Sequence, residues 1–462
     1  MNTSTKNRIN LKRSVRVFIF ISFVFVGLVS SIDSTALTTP INQVMSDLHL
    51  TETEFGLFSS LMFSGKLIGS FSYIFLVNAI NRKTLYLMTL ILNTVCVFIS
   101  TIPIHKLILY TSRIVLGFSN IFYGIYFPVW CDQFGLKNIK GMMLTITNMI
   151  FPLGGLFGQI LSTYFPWKLC LYIETAGLIT IMVITLCLNE TYFSSKMFST
   201  QNDDNKAQSF FEEHNEDKDR DKKQSNSLMN NVCYLLSLSQ FLAYTFGFGF
   251  AFLPLVGFGT FSFAFLENVL KITNKNERLF SISLSSIFGP LGNVVGGIIS
   301  ECIGGSQNKK SGFVVIILQI LSLIGGMVIP YTNGIWQFTW ANLLFLFSFS
   351  ALFPIVYGII INSLPNEMKA MGNSFNNLVI NLIGTVPGPY IYGVINDLYA
   401  KENPRLAAKV LFMFPLVTLG LFIFGGIARY KGGNKEKNEF DKGEELKDVE
   451  NSSSKFSSYD LN

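Results

Sequence analysis

Four ionisable side chains stand inside long apolar runs of the sequence, where charge is costly. They are Asp33, Lys66, Arg113 and Glu174. Placing such a group at the centre of an apolar helix in lipid costs roughly 2.5–3.5 kcal/mol even on lenient insertion scales, so it tends to face a polar cavity or a partner. Carboxylates and cationic groups that share a space of low dielectric constant bind protons, anions or one another.

Asp33 and Arg113 are expected at the same depth in their helices. At a rise of about 1.5 Å per residue, Asp33 lies roughly 10 Å below Pro40, and Arg113 lies roughly 12 Å from the outer end of its own apolar run. We predict an Asp33–Arg113 pair, which is either purely structural or a switch in which protonation of Asp33 releases Arg113. Lys66 is expected in mid-span, where it meets a substrate anion or snorkels. Glu174 is expected at a solvated helix end.

The composition explains why these groups are conspicuous. The chain has 462 residues, of which 50% are hydrophobic and 14% are charged, and its mean hydropathy is +0.43. An ordinary soluble domain has about 25% charged residues. The net charge of +6 is concentrated in residues 6–16, 196–223 and 429–450, outside the apolar runs. The chain therefore requires a lipid bilayer, and no nucleic-acid partner is expected.

The apolar runs predict an all-α membrane protein with twelve transmembrane helices in two pseudo-symmetric six-helix bundles, each helix about long enough to cross a bilayer. The N-terminal bundle is predicted over 14–189 and the C-terminal bundle over 230–428. Residues 1–13 and 429–462 are predicted tails, and the charge-dense segment 190–229 is predicted to be a disordered linker. The predicted spans are 14–39, 53–77, 84–103, 107–132, 140–164, 167–189, 230–258, 279–303, 312–331, 335–363, 369–395 and 405–428.

Charge also predicts the orientation of the bundle. An even number of spans places both tails and the linker on one side of the membrane. Residues 6–16 carry five basic side chains, whereas the loop 43–54 on the opposite side is acidic. By the positive-inside rule, the tails and the central linker are predicted to be cytosolic.

The sequence carries no signature of an enzyme or of a metal site. The six cysteines are scattered through apolar runs without a CxxC pair, and the three histidines are dispersed. No HExxH, GxSxG or phosphate-binding loop occurs. We expect no catalysis, no cofactor and no metal. The alternative from another class is a membrane receptor or membrane enzyme that transports nothing.

A weak internal repeat relates the two halves. Lys140–Gly155 reads KGMMLTITNMIFPLGG and Lys369–Gly384 reads KAMGNSFNNLVINLIG, which share five residues at equal spacing. They open the fifth and eleventh spans, which are equivalent positions in two six-helix halves, as in many transporters. Proline and glycine in these spans predict hinges, with close packing as the alternative. The predicted hinge residues are Pro152, Gly154, Gly155, Gly384, Pro387, Gly388 and Pro389.

Neutral polar side chains stand at several further positions within the spans. We predict that they line one wall of a central cavity, with hydrogen bonding between helices as the alternative. These residues are Asn120, Tyr123, Asn148, Gln240, Tyr244, Tyr357, Asn377 and Asn381. A cavity that is charged on one side and apolar on the other suits an amphipathic substrate, with its head group toward Asp33, Lys66 and Arg113.

The stretch Tyr73–Leu85, YIFLVNAINRKTL, places a short basic turn between two apolar spans. Leu76 and the Asn-Arg-Lys at 81–83 resemble the G-x-L-x-D-R-x-G/N-R-K pattern of the major facilitator superfamily, although Asn78 replaces its acid. In the equivalent loop of the second half, Glu301 lies near the acid position. The resemblance implies alternating access between two six-helix halves, with a weakened lock at Asn78. The predicted gating residues are Asn78, Arg82, Lys83 and Glu301.

Three further stretches resemble the spinster-type branch of that superfamily. They are Ser31–Asp33, Arg113–Pro128 and Gly384–Asp397, and Asn120 stands where the branch has a glutamate. The resemblance implies a carrier of lysophospholipids or sphingoid lipids, proton-linked or facilitative, in a plasma membrane or a lysosome- or vacuole-like membrane. It also implies that Asp33 and Arg113 take part in proton linkage.

The function predicted from the sequence is therefore transport by alternating access. The substrate is expected to be a lysophospholipid or another amphipathic organic solute, in symport with protons through Asp33 or by facilitated movement. The alternative is a carrier of small organic anions, amino acids or drugs, since the organic-anion branch has similar glycines and prolines in helix eleven. The expected partners are the substrate, the lipid bilayer and protons, and the expected state is a monomer.

Overall fold

The computed structural model describes residues 13–102, 105–136, 140–193, 235–364 and 368–430, and these residues form helices and turns without a strand. The predicted tails lie almost wholly outside the described residues, and so does most of the predicted linker. The prediction that the linker is disordered from its first residue is wrong. Residues Glu190–Tyr192 form a 3₁₀ turn, and the Phe193 ring is buried in the first half.

The described residues of the first half contain eight α-helices. The predicted first span is divided by a turn at Ser30 and Ser31, and a short helix lies between the first and second spans. The helices are α1 (Arg13–Val29), α2 (Ile32–Thr38), α3 (Ile41–Leu48), α4 (Glu52–Ala79), α5 (Arg82–Ile99), α6 (Lys106–Phe134), α7 (Lys140–Tyr164) and α8 (Trp167–Cys187).

Caps in the sequence set where several of these helices begin. Thr51 and Glu54 form a capping box at the start of α4, with the Thr51 hydroxyl accepting from the Glu54 amide at 3.2 Å. The Asn81 side chain accepts from the Lys83 amide at 3.3 Å and starts α5. Both caps satisfy amide groups that a helix leaves free at its first turn. The basic turn between α4 and α5 is thereby reduced to two residues, Ile80 and Asn81.

The helices of the second half are less regular than those of the first. Its described residues include two π-helical turns, one at Phe265–Val269 after α9 and one at Ile380–Thr385 between α13 and α14. The helices are α9 (Ser239–Ala264), α10 (Lys275–Cys302), α11 (Lys310–Val328), α12 (Ile335–Asn362), α13 (Lys369–Val379), α14 (Pro387–Tyr399), α15 (Leu406–Leu411) and α16 (414–430).

The predicted seventh span, 230–258, is displaced in the structure. The helix begins at Ser239 and continues through the π turn to Val269. The apolar run extends to Leu266, and the chain turns at Leu270–Lys271, where Lys271 adopts a positive φ of 57°. The end of the run, rather than its beginning, therefore sets the register of this span.

Ten of the described helical segments are long and apolar enough to cross a membrane. With α4 and α7, which have 28 and 25 residues, they correspond to the twelve predicted spans. Many large apolar side chains on these helices are exposed, such as Phe157, Ile298, Phe313 and Trp340. In a soluble protein such a surface is rare, whereas in a bilayer it faces lipid.

The two halves meet mainly along two pairs of helices, α4 with α14 and α7 with α10. The first contact is close because glycine allows it. A Cβ on Gly56 would overlap the carbonyl of Pro389, and one on Gly393 would overlap the carbonyl of Glu52. These contacts hold the ends of α4 and α14 together.

Candidate functional site

The Asp33–Arg113 pair lies in the interior of the first half. Arg113 Nη1 donates to Asp33 Oδ2 at 2.7 Å, and the two side chains are 2% and 1% exposed. The guanidinium also lies over the Phe58 ring, 4.2 Å from its centroid. Among the described residues, Arg113 Nε and Nη2 and Asp33 Oδ1 have no hydrogen-bond partner. The pair therefore keeps unused donors and an unused acceptor.

The expectation that Glu174 is a solvated helix end is wrong. Its side chain is 0% exposed, and it interacts electrostatically with Asp33 and Arg113. Helix α8 begins at Trp167, so Glu174 lies about 10 Å into the helix, much the same depth as Arg113 in α6. Counting from the helix starts would have revealed this second carboxyl, which the sequence reasoning placed at the interface.

Lys66 is half-buried in the middle of α4, and its ammonium lies 5.3 Å from the centroid of the Phe63 ring. The Asp33 carboxylate acts on the Lys66 charge. The first half thus contains a group of two carboxyls, one of them Asp33, and two cationic side chains. We refer to Asp33, Lys66, Arg113 and Glu174 as the charged cluster.

The neutral polar residues predicted in the first half do not line an open wall. Asn120 is buried, and its carbonyl accepts a hydrogen bond from the Asn93 amide, which joins α5 to α6. Tyr123 is fully buried, and its ring stacks on Phe127 at 5.8 Å. Asn120 therefore holds two helices together through its hydrogen bond, whereas Tyr123 belongs to the aromatic core of the first half. The side chain of Asn148 lies outside the described residues.

The neutral residues of the second half divide into two sets. Tyr244 is fully buried and stacks on Phe422 at 5.5 Å, so it belongs to the core rather than to a cavity wall. Tyr357 Oη donates to Asn377 Oδ1 at 2.9 Å, and the Asn381 amide donates to the Asn377 carbonyl at 2.8 Å. Asn377 is exposed, whereas Tyr357 and Asn381 are half-buried. The half-buried Gln240 lies near the start of α9.

An aromatic wall adjoins this polar set. The Phe353 ring stacks on Tyr357 with centroids 5.0 Å apart. The Phe248 ring meets Phe353 at 5.0 Å and Phe252 at 5.2 Å in edge-to-face contacts. Such pairs add roughly 0.5–1.5 kcal/mol each beyond the area that they bury. A hydroxyl and two amides therefore stand at the margin of a rigid apolar surface.

The predicted gating residue Lys83 bonds within its own half. Lys83 Nζ donates to the carbonyls of Leu186 and Leu188 at 3.2 and 2.5 Å, at the end of α8 in the same half. Arg82 is half-buried beside the same turn. The ammonium of Lys83 thus caps a helix C-terminus, where cations are favoured, instead of spanning the two halves.

Of the other two predicted gating residues, only Glu301 has a described side chain. Glu301 is exposed near the end of α10 and forms no salt bridge within the described part of the chain. The side chain of Asn78 lies outside the described residues.

The predicted hinge positions of the two halves differ in structure. Helix α7 is continuous through Pro152, and a Cβ on Gly154 would overlap the backbone of α1 at Leu28. Gly155 faces Thr35 of α2 at ordinary contact distance. In the first half Gly154 thus lets α7 approach α1, as the close-packing alternative expects, and movement at these positions stays a prediction.

In the second half the helix is interrupted where the prolines and glycines were predicted to act. The π turn Ile380–Thr385 includes Gly384, and α14 starts at Pro387. Gly388 packs on the backbone of α9 at Leu253 and Gly257. The preference of proline for the first helical position explains the restart of the helix.

The halves are joined by hydrogen bonds at one end of the bundle, which we call the closed end. The Asp397 carboxylate accepts from the amides of Glu52 and Thr53 at 3.1 and 2.7 Å, so a side chain of the second half caps a helix of the first. Asn42 and Asn268 exchange amide hydrogen bonds at 2.9 and 3.1 Å across the halves. The sequence reasoning did not identify this contact, because Asp397 lies at a helix end.

A cavity of about 360 Å³ lies at the closed end, away from the charged cluster. It is lined by polar residues of both halves, including Gln43, Tyr164 and Lys275. Arg278 and Glu267 form an ion pair at its wall. The described residues contain no group of histidine, cysteine and acidic side chains that would hold a metal ion.

Comparison with solved structures shows what this architecture is similar to. A bacterial homologue of the human lysosomal transporter Spinster, inward-facing and unoccupied, has a TM-score of 0.67 at 13% identity, over 91% of this chain and 99% of that chain. Its occupied form has a TM-score of 0.65 at 13% identity, over 90% and 95%. A D-xylose–proton symporter has a TM-score of 0.65 at 10% identity, over 88% and 97%. These likenesses show the fold.

Sequence comparison identifies the family. No curated protein sequence matches the chain significantly. The family model of the Major Facilitator Superfamily, however, matches residues 19–389, which is most of the chain. The helical architecture, the membrane-spanning segments and this match agree. The chain belongs to the Major Facilitator Superfamily and is an integral multi-pass membrane transporter rather than an enzyme.

Proposed function

We propose that the protein carries a lysophospholipid or a similar amphipathic solute by alternating access, with proton coupling through the Asp33–Arg113 pair. The observation that carries this proposal is the pair itself, which is buried and retains unused hydrogen-bonding atoms on both sides. A purely structural pair would be expected to satisfy those atoms, because unsatisfied buried polar groups are costly. A pair that changes partners during transport needs them.

The arrangement of polar and apolar surfaces supports an amphipathic substrate. The charged cluster belongs to the first half, and the aromatic wall with Tyr357 belongs to the second. A head group would contact Lys66 and the Asp33–Arg113 pair, and an acyl chain would lie against the half-buried rings of Phe252 and Phe353. The resemblance to spinster-type carriers at Asp33, Arg113 and the helix-eleven stretch points in the same direction.

We further propose that the tails are cytosolic, so that the closed end is the outer end and the structure is inward-facing. The basic N-terminal tail supports this orientation. Protease added to intact cells should spare a tag fused to the C-terminus. Digestion of that tag from outside would reverse the orientation. The plasma membrane and a lysosome- or vacuole-like membrane are the proposed locations.

Flux measurements with purified protein in liposomes test the proposed function. Radiolabelled lysophosphatidylcholine and lysophosphatidylglycerol would be compared with a small dicarboxylate, an amino acid and a sugar, each with and without a pH gradient. Lysolipid movement above that of protein-free liposomes supports the proposal. Selective movement of the dicarboxylate or the amino acid would replace it with the small-solute alternative. Absence of flux for every solute at normal protein incorporation would count against both.

A further inference from the structure

Glu174 is the fully buried member of the charged cluster whose side chain forms no hydrogen bond among the described residues. It lies on α8 with its side chain fully buried, and neither carboxyl oxygen has a hydrogen-bond partner among the described residues. The backbone of Asp33 lies near the carboxyl without forming a hydrogen bond to it. An ionised carboxylate without a partner is one of the most costly groups to bury, whereas the neutral acid costs much less.

The groups that face Glu174 come from several helices. Asp33 of α2 and Arg113 of α6 act on it electrostatically, and Glu174 in turn acts on Tyr123 of α6 and on Cys170 of its own helix. Cys96 of α5 faces Arg113. The basic residues of α1, α5 and α7 lie at the opposite ends of those helices, at positions 13, 16, 82, 83 and 140. Arg113 is therefore the cationic side chain that acts on Glu174, and its hydrogen bond goes to Asp33.

We propose that Glu174 is the proton-binding residue of the carrier in this closed-end state, and that its proton is released when Arg113 exchanges Asp33 for Glu174. The exchange is available because Arg113 keeps two nitrogens, Nε and Nη2, without a hydrogen-bond partner. The proton passes between the Glu174 carboxyl and solvent, and no other bond forms or breaks. The inference rests on the proposed transport function and specifies its proton site.

The charge of the cluster links this proton to the substrate. With Glu174 neutral, Asp33 and Arg113 cancel, and the ammonium of Lys66 is left without a balancing charge. With Glu174 ionised, the four side chains sum to zero. In a space of low dielectric constant, an excess positive charge favours an anion. A proton on Glu174 therefore favours binding of an anionic head group, and the proton and the anion bind together.

Infrared spectroscopy of the purified protein tests the proton site without a transport measurement. In a detergent that has no carbonyl group, the carbonyl stretch of an un-ionised carboxylic acid is recorded at neutral pH and identified by its shift in heavy water. Exposed carboxyls are ionised at this pH. The wild type should show the band, Glu174→Gln should lack it, and Glu190→Gln, which changes an exposed carboxyl outside the cluster, should retain it.

A variant with a shorter acid at position 174 tests whether misfolding, rather than loss of the carboxyl, removes the infrared band. Glu174→Asp should retain a carboxylic-acid band, displaced in frequency, at a thermal stability close to that of Glu174→Gln. An unchanged band in Glu174→Gln, or no band in the wild type or in Glu174→Asp, would overturn the inference. The result does not depend on whether a lysolipid is transported, so a failure of the proposed function remains distinguishable.

Binding of an anionic probe then tests the linkage. Lysophosphatidylglycerol should bind the wild type more tightly as the pH is lowered from alkaline values toward neutrality, by up to about tenfold per pH unit for one linked proton. Its affinity for Glu174→Gln should be independent of pH over the same range. An equal pH dependence in both proteins would overturn the linkage. If this probe does not bind at all, the lysolipid assignment fails, and the infrared result decides the proton site.

Discussion

The two halves of the molecule differ in where their charged and neutral polar side chains lie. The first half buries the charged cluster. Lys66, Arg113 and Glu174 lie on the uninterrupted helices α4, α6 and α8, of which α6 continues through Pro128, whereas Asp33 lies on the short α2. The second half, in its described residues, keeps its ionisable side chains near helix ends. Its interior polar groups are neutral, and they lie beside a helix that is interrupted by a π turn at Ile380–Thr385.

This difference suggests a division of roles between related halves. Buried charges need fixed partners, because their stabilisation depends on geometry, and continuous helices supply fixed positions. An interrupted helix between α13 and α14 has backbone groups that can change partners, which suits a segment that moves during transport. Under the proposed function, protons and the head group would bind in the first half, and the second half would fit the shape of the substrate.

The largest expected effect comes from removing the central cation. Arg113→Ala leaves Asp33 buried without a partner, and a broken buried pair costs roughly 3–5 kcal/mol. Arg278→Ala in the second half is the matched control, since its partner Glu267 is 40% exposed and stays hydrated. It should cost about 1 kcal/mol or less. Thermal unfolding in detergent, with the amount of protein measured beside it, gives both values. Equal losses would show that the halves do not differ in this respect.

A smaller effect is expected at the closed end, where the halves meet. Asp397→Asn removes the charge that caps α4 across the interface, and a cap of this kind contributes about 1–2 kcal/mol. The population of the closed end should therefore fall by roughly five- to thirtyfold relative to the open form. Spin labels at Gln43 and Lys271 would report a longer distance between the halves.

Asp47→Asn is the control for that experiment, because Asp47 accepts from Trp167 within the first half. It should leave the distance between the labels unchanged. A distribution that is the same in Asp397→Asn as in the wild type would mean that the cap does not hold the halves together.

The smallest effect is expected in the neutral set of the second half. Tyr357→Phe keeps the aromatic wall and removes the hydrogen bond to Asn377, which is worth about 1 kcal/mol. The apparent affinity for a lysolipid should fall by at most about fivefold, with the pH dependence of uptake unchanged. An altered pH dependence would bring Tyr357 into the proton pathway and remove the contrast between the halves.

Much of the fold follows from the sequence, because apolar runs of membrane length and the capping box at Thr51 are local signals. The predicted bounds of the seventh span differ from those of the helix, because the apolar run is longer than one span and hydropathy alone does not fix where the helix begins. The first residues after α8 were misplaced for a related reason. The charge density of the segment gave no sign that the half-buried Tyr192 and the buried Phe193 at its start pack against the first half.

The site residues were predictable only where their depth in the membrane could be estimated by counting residues from a helix end. Asp33 and Arg113 could be paired because both lie a few turns from the same membrane surface. Counting residues from the start of α8 also gives the correct depth for Glu174. The prediction was wrong because that part of the helix was assumed to be solvated. The alternatives for Tyr123 and Tyr244 could not be separated, because which face of an apolar helix meets a cavity depends on packing that apolar periodicity does not encode.

Uptake driven by a pH gradient in Asp33→Asn liposomes tests the central claim most directly. Without the Asp33 charge, Arg113 is expected to pair with Glu174 and keep it ionised, so that no proton is carried. Gradient-driven lysolipid uptake should be lost, while exchange at equal pH persists, since exchange does not require return of the empty carrier. Full gradient-driven uptake by a well-incorporated Asp33→Asn protein would contradict the account and leave a facilitator whose buried charges serve only to bind substrate.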